Sequence, residues 1–418
     1  MTEKSIGILH YSAPPVIGGV EAVMHAHAIE ILRAGYSCTV ISGRGDQSAF
    51  PAGIEFISIP EIDSNYPEIR SASQVLESGQ VPDNFQDLEE KLTVELKPIV
   101  EKHDHLIVHN VLTKHFNLPL TKALYNLISD GSINHLIAWC HDFTWTSPSS
   151  RSKVHEGYPW DLLRSKWADT LYVTISLERQ QTLANLLNCH KTDIPVIYNG
   201  VNPTTLMGLS TAGWEIIQRL GMLESDLNVL MPVRTTKAKN IEFAIEVAAA
   251  LKERGINPRF VLTGPPDPHD ANSMKYYQSL KDYREQLGVT QNVRFIFESG
   301  PEAGQPFTIG EQVVGDLYRF SDLMFMPSHR EGFGMPVLEA GLAGIPVLSR
   351  EVPAANEIAG DDAVIFSEKT TPGEVAEIVL QMMEQMSTVR FRARVRREFT
   401  WQSIFENEIE PILEADRI

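Results

Sequence analysis

Two glutamates, Glu331 and Glu339, stand eight positions apart around a glycine-rich turn in PSHREGFGMPVLEAGLAGIP (327–346). Ahead of the turn, LMFMP (323–327) reads as an apolar strand; Pro336 sits where a helix would start, and Gly344 and Pro346 stop it. Gly332 and Gly334, with Phe333 between them, let the backbone approach a ligand closely, and the free amides of the first helical turn favour an anion such as a diphosphate. The two carboxylates can accept hydrogen bonds from different hydroxyls, which a sugar and a ribose supply. Taken alone, the same segment also reads as a strand, turn and helix with solvated acids.

Three further clusters bear on that choice. Arg234, Lys237, Lys239 and Asn240 follow the run LNVLMPV (227–233) and precede a helical stretch, so fixed cations and helix amides stand where a diphosphate could be held and its leaving charge stabilised. In PPVIGGVE (14–21), Gly18 and Gly19 open a helix after the first strand; the segment has neither the GxGxxG order of a dinucleotide site nor the lysine of a Walker loop. WCHD (139–142) places His141 and Asp142 just past a strand end. Each has a plainer reading: a solvated surface, a helix-opening turn, a structural histidine.

The elements that must position these residues are apolar runs alternating with amphipathic helical stretches, the pattern of parallel sheets wound by helices. The first half offers strands at 5–11, 37–43, 54–60, 105–110, 134–141, 171–176 and 194–200; the second offers 227–233, 259–264, 293–298, 323–328, 345–350 and 363–367. A chain of 418 residues exceeds one core. The expectation is therefore α/β, two Rossmann-like doubly wound domains facing across a cleft that takes the ligand. The polar stretch 61–95 reads as an insertion between strands, and 143–160 as a long loop near the cleft.

Charge and cysteines narrow the function classes. With 54 acids against 36 bases, the net charge of −18 argues against nucleic acid and against broad adhesion to anionic membranes. Cys38, Cys140 and Cys189 have no short paired spacing, which suggests neither disulfides nor zinc. MTEK leads directly into SIGILHY without the apolar core of a signal peptide, and no run approaches a membrane span. A cytoplasmic protein is expected, free or peripheral to a membrane.

GGVE near the start, VIYNGVN (196–202), Arg234 with Lys239, VLTG (261–264) and the acid pair with seven residues between them together resemble the retaining glycosyltransferases of family 4, the glycosyl transferases group 1, which have the GT-B fold. The resemblance spans essentially the whole chain. It implies an acceptor-side domain over 1–203, a nucleotide-sugar-binding domain over 204–395, and a segment 396–418 whose helix TWQSIFENEIEPIL (400–413) crosses back. It also implies a nucleoside-diphosphate sugar donor and transfer with retention. Carried over by position, Glu339 would hold the ribose and Arg234 and Lys239 the diphosphate. Glu331 and the amides of Gly332, Phe333 and Gly334 would hold the sugar, with Gly18 and Gly19 approaching the phosphates and His141 near the sugar. Glu331, His141, Arg234 and Lys239 are then the residues nearest the chemistry. No metal or other cofactor is implied, and the absence of any Asp-x-Asp agrees with cations doing a divalent ion's work. In two places the chain departs from the family: Asn202 stands where an acid is common, and Asn240 where Gly is frequent.

Donor and acceptor are not set by these residues. UDP, GDP and ADP sugars stay open, the base being read around Gly264–Pro266 and Phe297–Gly300. Tyr11, Arg44, Asn110, Asp142 and the loop 143–160 are the acceptor candidates, for a saccharide or small-molecule hydroxyl; a lipid stays open, although no basic amphipathic helix stands out. The competing readings are an epimerase or a phosphorylase on the same fold, the phosphorylase without a recognisable pyridoxal-phosphate lysine, and a non-catalytic sugar-nucleotide-binding scaffold.

Overall fold

The strands form because their residues are apolar on both sides. In β1 (Ser5–His10), Ile6 and Ile8 face one core and Leu9 the other; in β10 (Leu323–Met326), Leu323 and Phe325 face one and Met324 and Met326 the other. Such two-sided burial is that of a parallel sheet covered by helices on both faces. The computed structural model describes residues 4–415. It divides into two units, one made of the chain up to Gly200 together with the chain from Trp401, the other of Val201–Thr400.

In the first unit β1, β2 (Ser37–Ser42), β3 (Ile54–Ser58), β4 (His105–His109), β5 (Leu136–Cys140) and β6 (Thr170–Thr174) pair in parallel in the order β3-β2-β1-β4-β5-β6. In the second, β7 (Leu227–Met231), β8 (Pro258–Leu262), β9 (Val293–Phe295), β10, β11 (Val347–Arg350) and β12 (Val364–Phe366) run β12-β11-β10-β7-β8-β9. Counted within its own unit, each sheet has the order 3-2-1-4-5-6 of a Rossmann-like fold. The order reverses between β1 and β4 and between β7 and β10, and loops leaving the carboxyl ends of those strands line the usual ligand crevice of each unit.

Several expected elements change on inspection. Residues 194–200 form no strand: Val196 makes only an isolated bridge to Thr174, because Pro195 has no amide to give a ladder. The polar stretch 61–95 carries the helix Pro67–Glu77 and the start of Phe85–Val100, whose buried Ile69, Ala72 and Leu76 and Leu88, Leu92 and Leu96 recur at helical spacing. Within 143–160, Trp145 is buried, lies under the guanidiniums of Arg151 and Arg164 at 4.4 and 4.1 Å from its ring centre, and donates to the Trp160 carbonyl at 3.2 Å. That loop is therefore pinned. A basic helix does exist, Ser387–Glu398 with five arginines, but Arg392 and Arg396 turn to the buried Asp322 and Arg397 to Asp226.

From Trp401 to Glu414 the chain is helical, with a π turn over Phe405–Ile409, and Ile404, Phe405, Ile409 and Leu413 pack against Ile6, Ile8 and Ile107 of the first sheet. Among the described residues, no helix is long and apolar enough to cross a membrane. The three cysteines are free, Cys38 and Cys140 of them buried.

Candidate functional site

In the second unit the loops after β7 and β10 are stitched together at the point where strand order reverses. After β7 a single helical turn, Lys237–Lys239, ends at Asn240 in the left-handed region (φ 51°). Asparagine tolerates that conformation better than other non-glycine residues, which explains how it can stand where glycine is frequent. Its side-chain amide donates to the Pro327 carbonyl at 3.2 Å, and the His329 amide donates to the Ala238 carbonyl at 2.9 Å. The stitching brings Lys239 Nζ onto both oxygens of Glu331, at 2.8 and 2.7 Å, with the Glu331 side chain 6% and the Lys239 side chain 22% exposed.

The other residues predicted for this unit lie on the neighbouring loops and helix. Arg234 is exposed on the loop after β7. Gly264, at the end of β8, backs that loop so closely that a Cβ there would stand 2.4 Å from the Val233 carbonyl oxygen and 2.6 Å from Arg234 Cα. Gly332 and Phe333 are exposed, and Gly334, at φ 86°, caps the helix Met335–Ala343, which ends at Gly344, also left-handed. Glu339 is exposed on that helix, and its Oε2 accepts a hydrogen bond from the Tyr318 hydroxyl at 2.7 Å. Tyr318 is buried on the neighbouring helix Glu311–Phe320, and burial, followed by the bond to Glu339, pushes its phenol well above the ordinary range. These loops and the helix carry cations, free backbone amides and two carboxylates, groups that can bind an anion and accept from hydroxyls.

In the first unit the predicted residues follow the ends of β1, β2, β4 and β5. Asn110, left-handed at φ 60°, is buried, and its Oδ1 accepts from the amides of His141 (2.9 Å) and Asp142 (3.1 Å). His141 Nε2 lies 3.1 Å from His109 Nδ1, so one ring donates and the other accepts. Burial holds His141 down at about 4 and His27 down at about 3, and holds His109 well below its ordinary value. These imidazoles are neutral near pH 7 and can offer hydrogen bonds but not charge. Asp142 is exposed and pairs with Arg179 at 3.3 Å. Tyr11 is buried, and Arg44 is exposed and 3.6 Å from Asp63. At the start of the helix Gly19–Arg33, Gly18 is extended and faces Glu21, which Ser12 holds by a 2.6 Å hydrogen bond; around Gly19 there is open space.

Sequence reasoning passed over Tyr318 and His109. Tyr318 lies 21 positions before Glu339 on a different helix, so no local spacing marks it. His109 is the last residue of a strand in which every residue is buried, and it reads there as core.

The family model of glycosyl transferases group 1 matches residues 213–398. An uncharacterised glycosyltransferase of Methanocaldococcus jannaschii is 30% identical over 191 residues, 44% of this chain and 43% of that protein. Mannosylglucosylglycerate synthase of Petrotoga mobilis is 26% identical over 66% of this chain and 65% of its own length. Glycogen synthase of Mycobacterium tuberculosis is 22% identical over 97% of this chain and 93% of its own. The chain thus spans less than two thirds of the first two of these relatives.

Proposed function

Residues 213–398 match the family model of glycosyl transferases group 1, and on that premise we propose that the chain is a member of that family and moves a hexosyl group from a nucleoside-diphosphate sugar to a hydroxyl acceptor, with retention at the anomeric carbon and without a metal ion. The observation that carries the reading is Lys239 Nζ resting on both oxygens of Glu331 at the carboxyl ends of β7 and β10, with Arg234 exposed on the same loop. Breaking the glycosidic bond leaves negative charge on the diphosphate and positive charge on the sugar. Groups held in place beforehand favour that separation more than mobile ones.

In this reading Arg234 and Lys239 take the diphosphate, together with amides from Gly332 to Gly334, and Glu339 takes the ribose. Lys239 then exchanges a carboxylate for phosphate oxygens, which releases Glu331 to accept from sugar hydroxyls. Glu331 serves as a hydrogen-bond acceptor and not as a nucleophile, and the departing phosphate oxygen takes the acceptor's proton. The acceptor candidates remain Tyr11, Arg44, Asn110 and Asp142, and the ring of His141, neutral near pH 7, can offer a hydrogen bond. Family relatives named for mannosylglucosylglycerate and glycogen synthesis support a saccharide acceptor.

The test is a titration of UDP, GDP and ADP against the protein, Arg234→Ala and Glu339→Ala, with a chelator present. One nucleotide should bind best, and each substitution should weaken it by about 1–3 kcal/mol, the worth of a charged hydrogen bond. Binding of none of the three, or indifference to both substitutions, would turn the assignment towards a scaffold that uses another surface.

A further inference from the structure

Glu339 sits on an exposed helical face, where a glutamate with three rotatable bonds would sample many positions and lose that freedom on meeting a ligand. One contact removes the freedom in advance. The Tyr318 hydroxyl donates to Glu339 Oε2 at 2.7 Å, a charge-assisted length, from a ring that is 4% exposed. The ring is fixed by packing: Tyr318 belongs to the apolar cluster that includes Leu317, Phe320, Met324, Met326, Val337 and Ala340, drawn from both helices and from β10. Only Oε2 is occupied by this bond, which leaves Oε1 as an acceptor.

We propose that Tyr318 is a positioning residue for donor recognition: it holds the Glu339 carboxylate in one rotamer, with Oε1 presented to the ribose diol of the nucleotide. The inference rests on the assignment of Glu339 to the ribose given above. A phenol suits the task better than a lysine or a serine. It is rigid, it brings no charge that would compete with the ligand for the carboxylate, and it reaches from a neighbouring helix to an exposed side chain. A carboxylate ordered before binding gives up less entropy when the ligand arrives.

The experiment compares UDP, GDP and ADP with their 2′,3′-dideoxy analogues on the full chain, Tyr318→Phe, Glu339→Ala and the double variant. Tyr318→Phe should weaken the best ribonucleotide about five- to tenfold and change its dideoxy analogue less than about twofold, since only the former uses the ordered carboxylate. Glu339→Ala should weaken the ribonucleotide at least as much, and the double variant should be no weaker than Glu339→Ala alone. Equal losses for both ligands with Tyr318→Phe would make the tyrosine a packing residue and overturn the proposal. So would an unchanged ribonucleotide affinity. If Glu339→Ala itself fails to discriminate ribose from dideoxyribose, the ribose assignment falls and the positioning role with it. Should Tyr318→Phe not fold, the 13Cζ resonance of Tyr318 in the unaltered chain gives the answer: it should move on adding ribonucleotide and stay in place on adding the dideoxy analogue, and the reverse sinks the idea.

Discussion

Lys239 and Glu331 are the pair on which substitution bears most directly. Glu331 is nearly buried, so removing Lys239 leaves a carboxylate out of water without its partner, whereas removing both leaves no uncompensated charge. Lys239→Met should cost about 2 kcal/mol of stability, somewhat less than a fully buried pair because Lys239 keeps some exposure. Lys239→Met combined with Glu331→Gln should recover most of that loss while nucleotide binding stays impaired. Urea midpoints of the three variants check the first expectation and titration calorimetry the second. A double variant as unstable as the single would mean that the pair contributes by geometry rather than by charge.

At the scale of elements, the sequence was most legible where periodicity is strong. The strands bearing the site, β7 and β10, were expected to within a few residues because both faces are apolar, and the helix Met335–Ala343 because Pro336 and Gly344 punctuate it. The helix Pro67–Glu77 and the start of Phe85–Val100 were hidden, since a thin apolar stripe was outnumbered by polar residues on the solvent side. Pro195 supplied the signal against a seventh strand, and the apolar neighbours outweighed it. Of the candidate site, residue types and loop positions were legible, but the side-chain pairs were not: Lys239 with Glu331 and Tyr318 with Glu339 join separate elements, and no spacing encodes them. The contact between the loops after β7 and β8 allows a direct test. Gly264→Ala places its Cβ against backbone atoms that cannot swing aside, so it should cost about 1–3 kcal/mol. It should also weaken nucleotide binding through Arg234 without removing any charge. A thermal unfolding midpoint and a UDP, GDP or ADP affinity both equal to the unaltered chain would show that the loop has room to shift.

On the scale of the whole molecule, buried imidazoles contribute to a fall of stability in acid. His27 and His141 have folded pKa values of about 3 and about 4, below the unfolded value of 6.5, so the unfolded chain binds more protons at pH 5. Their contribution is fully present above about pH 6.5 and is lost as pH falls towards the folded values. At pH 5 each should have cost about 2 kcal/mol, and His27→Gln should shrink the fall in stability between pH 7 and pH 5 by about that amount. Chemical denaturation at the two pH values measures it; an undiminished fall would place the acid sensitivity elsewhere. A second expectation concerns the interrupted first unit. Ending the chain at Thr400 removes Ile404, Phe405, Ile409 and Leu413, each worth about 1.5–3 kcal/mol of burial, a total comparable with the stability of an entire domain. Hydrogen exchange on that shortened chain should find the amides of Val201–Thr400 still protected and those of β1–β6 open, and protection in both would mean that the closing segment is dispensable.

Because the first unit is completed by residues that begin at Trp401, its assembly is also a matter of time. A ribosome adding roughly 5–20 residues per second takes roughly 10–40 s to synthesise the intervening stretch Val201–Thr400. Throughout that interval the apolar surface of Ile6, Ile8 and Ile107 waits without its last covering helix, while the second sheet, contiguous in sequence, can finish in the meantime. The unit whose synthesis begins first is therefore the one whose covering helix arrives last.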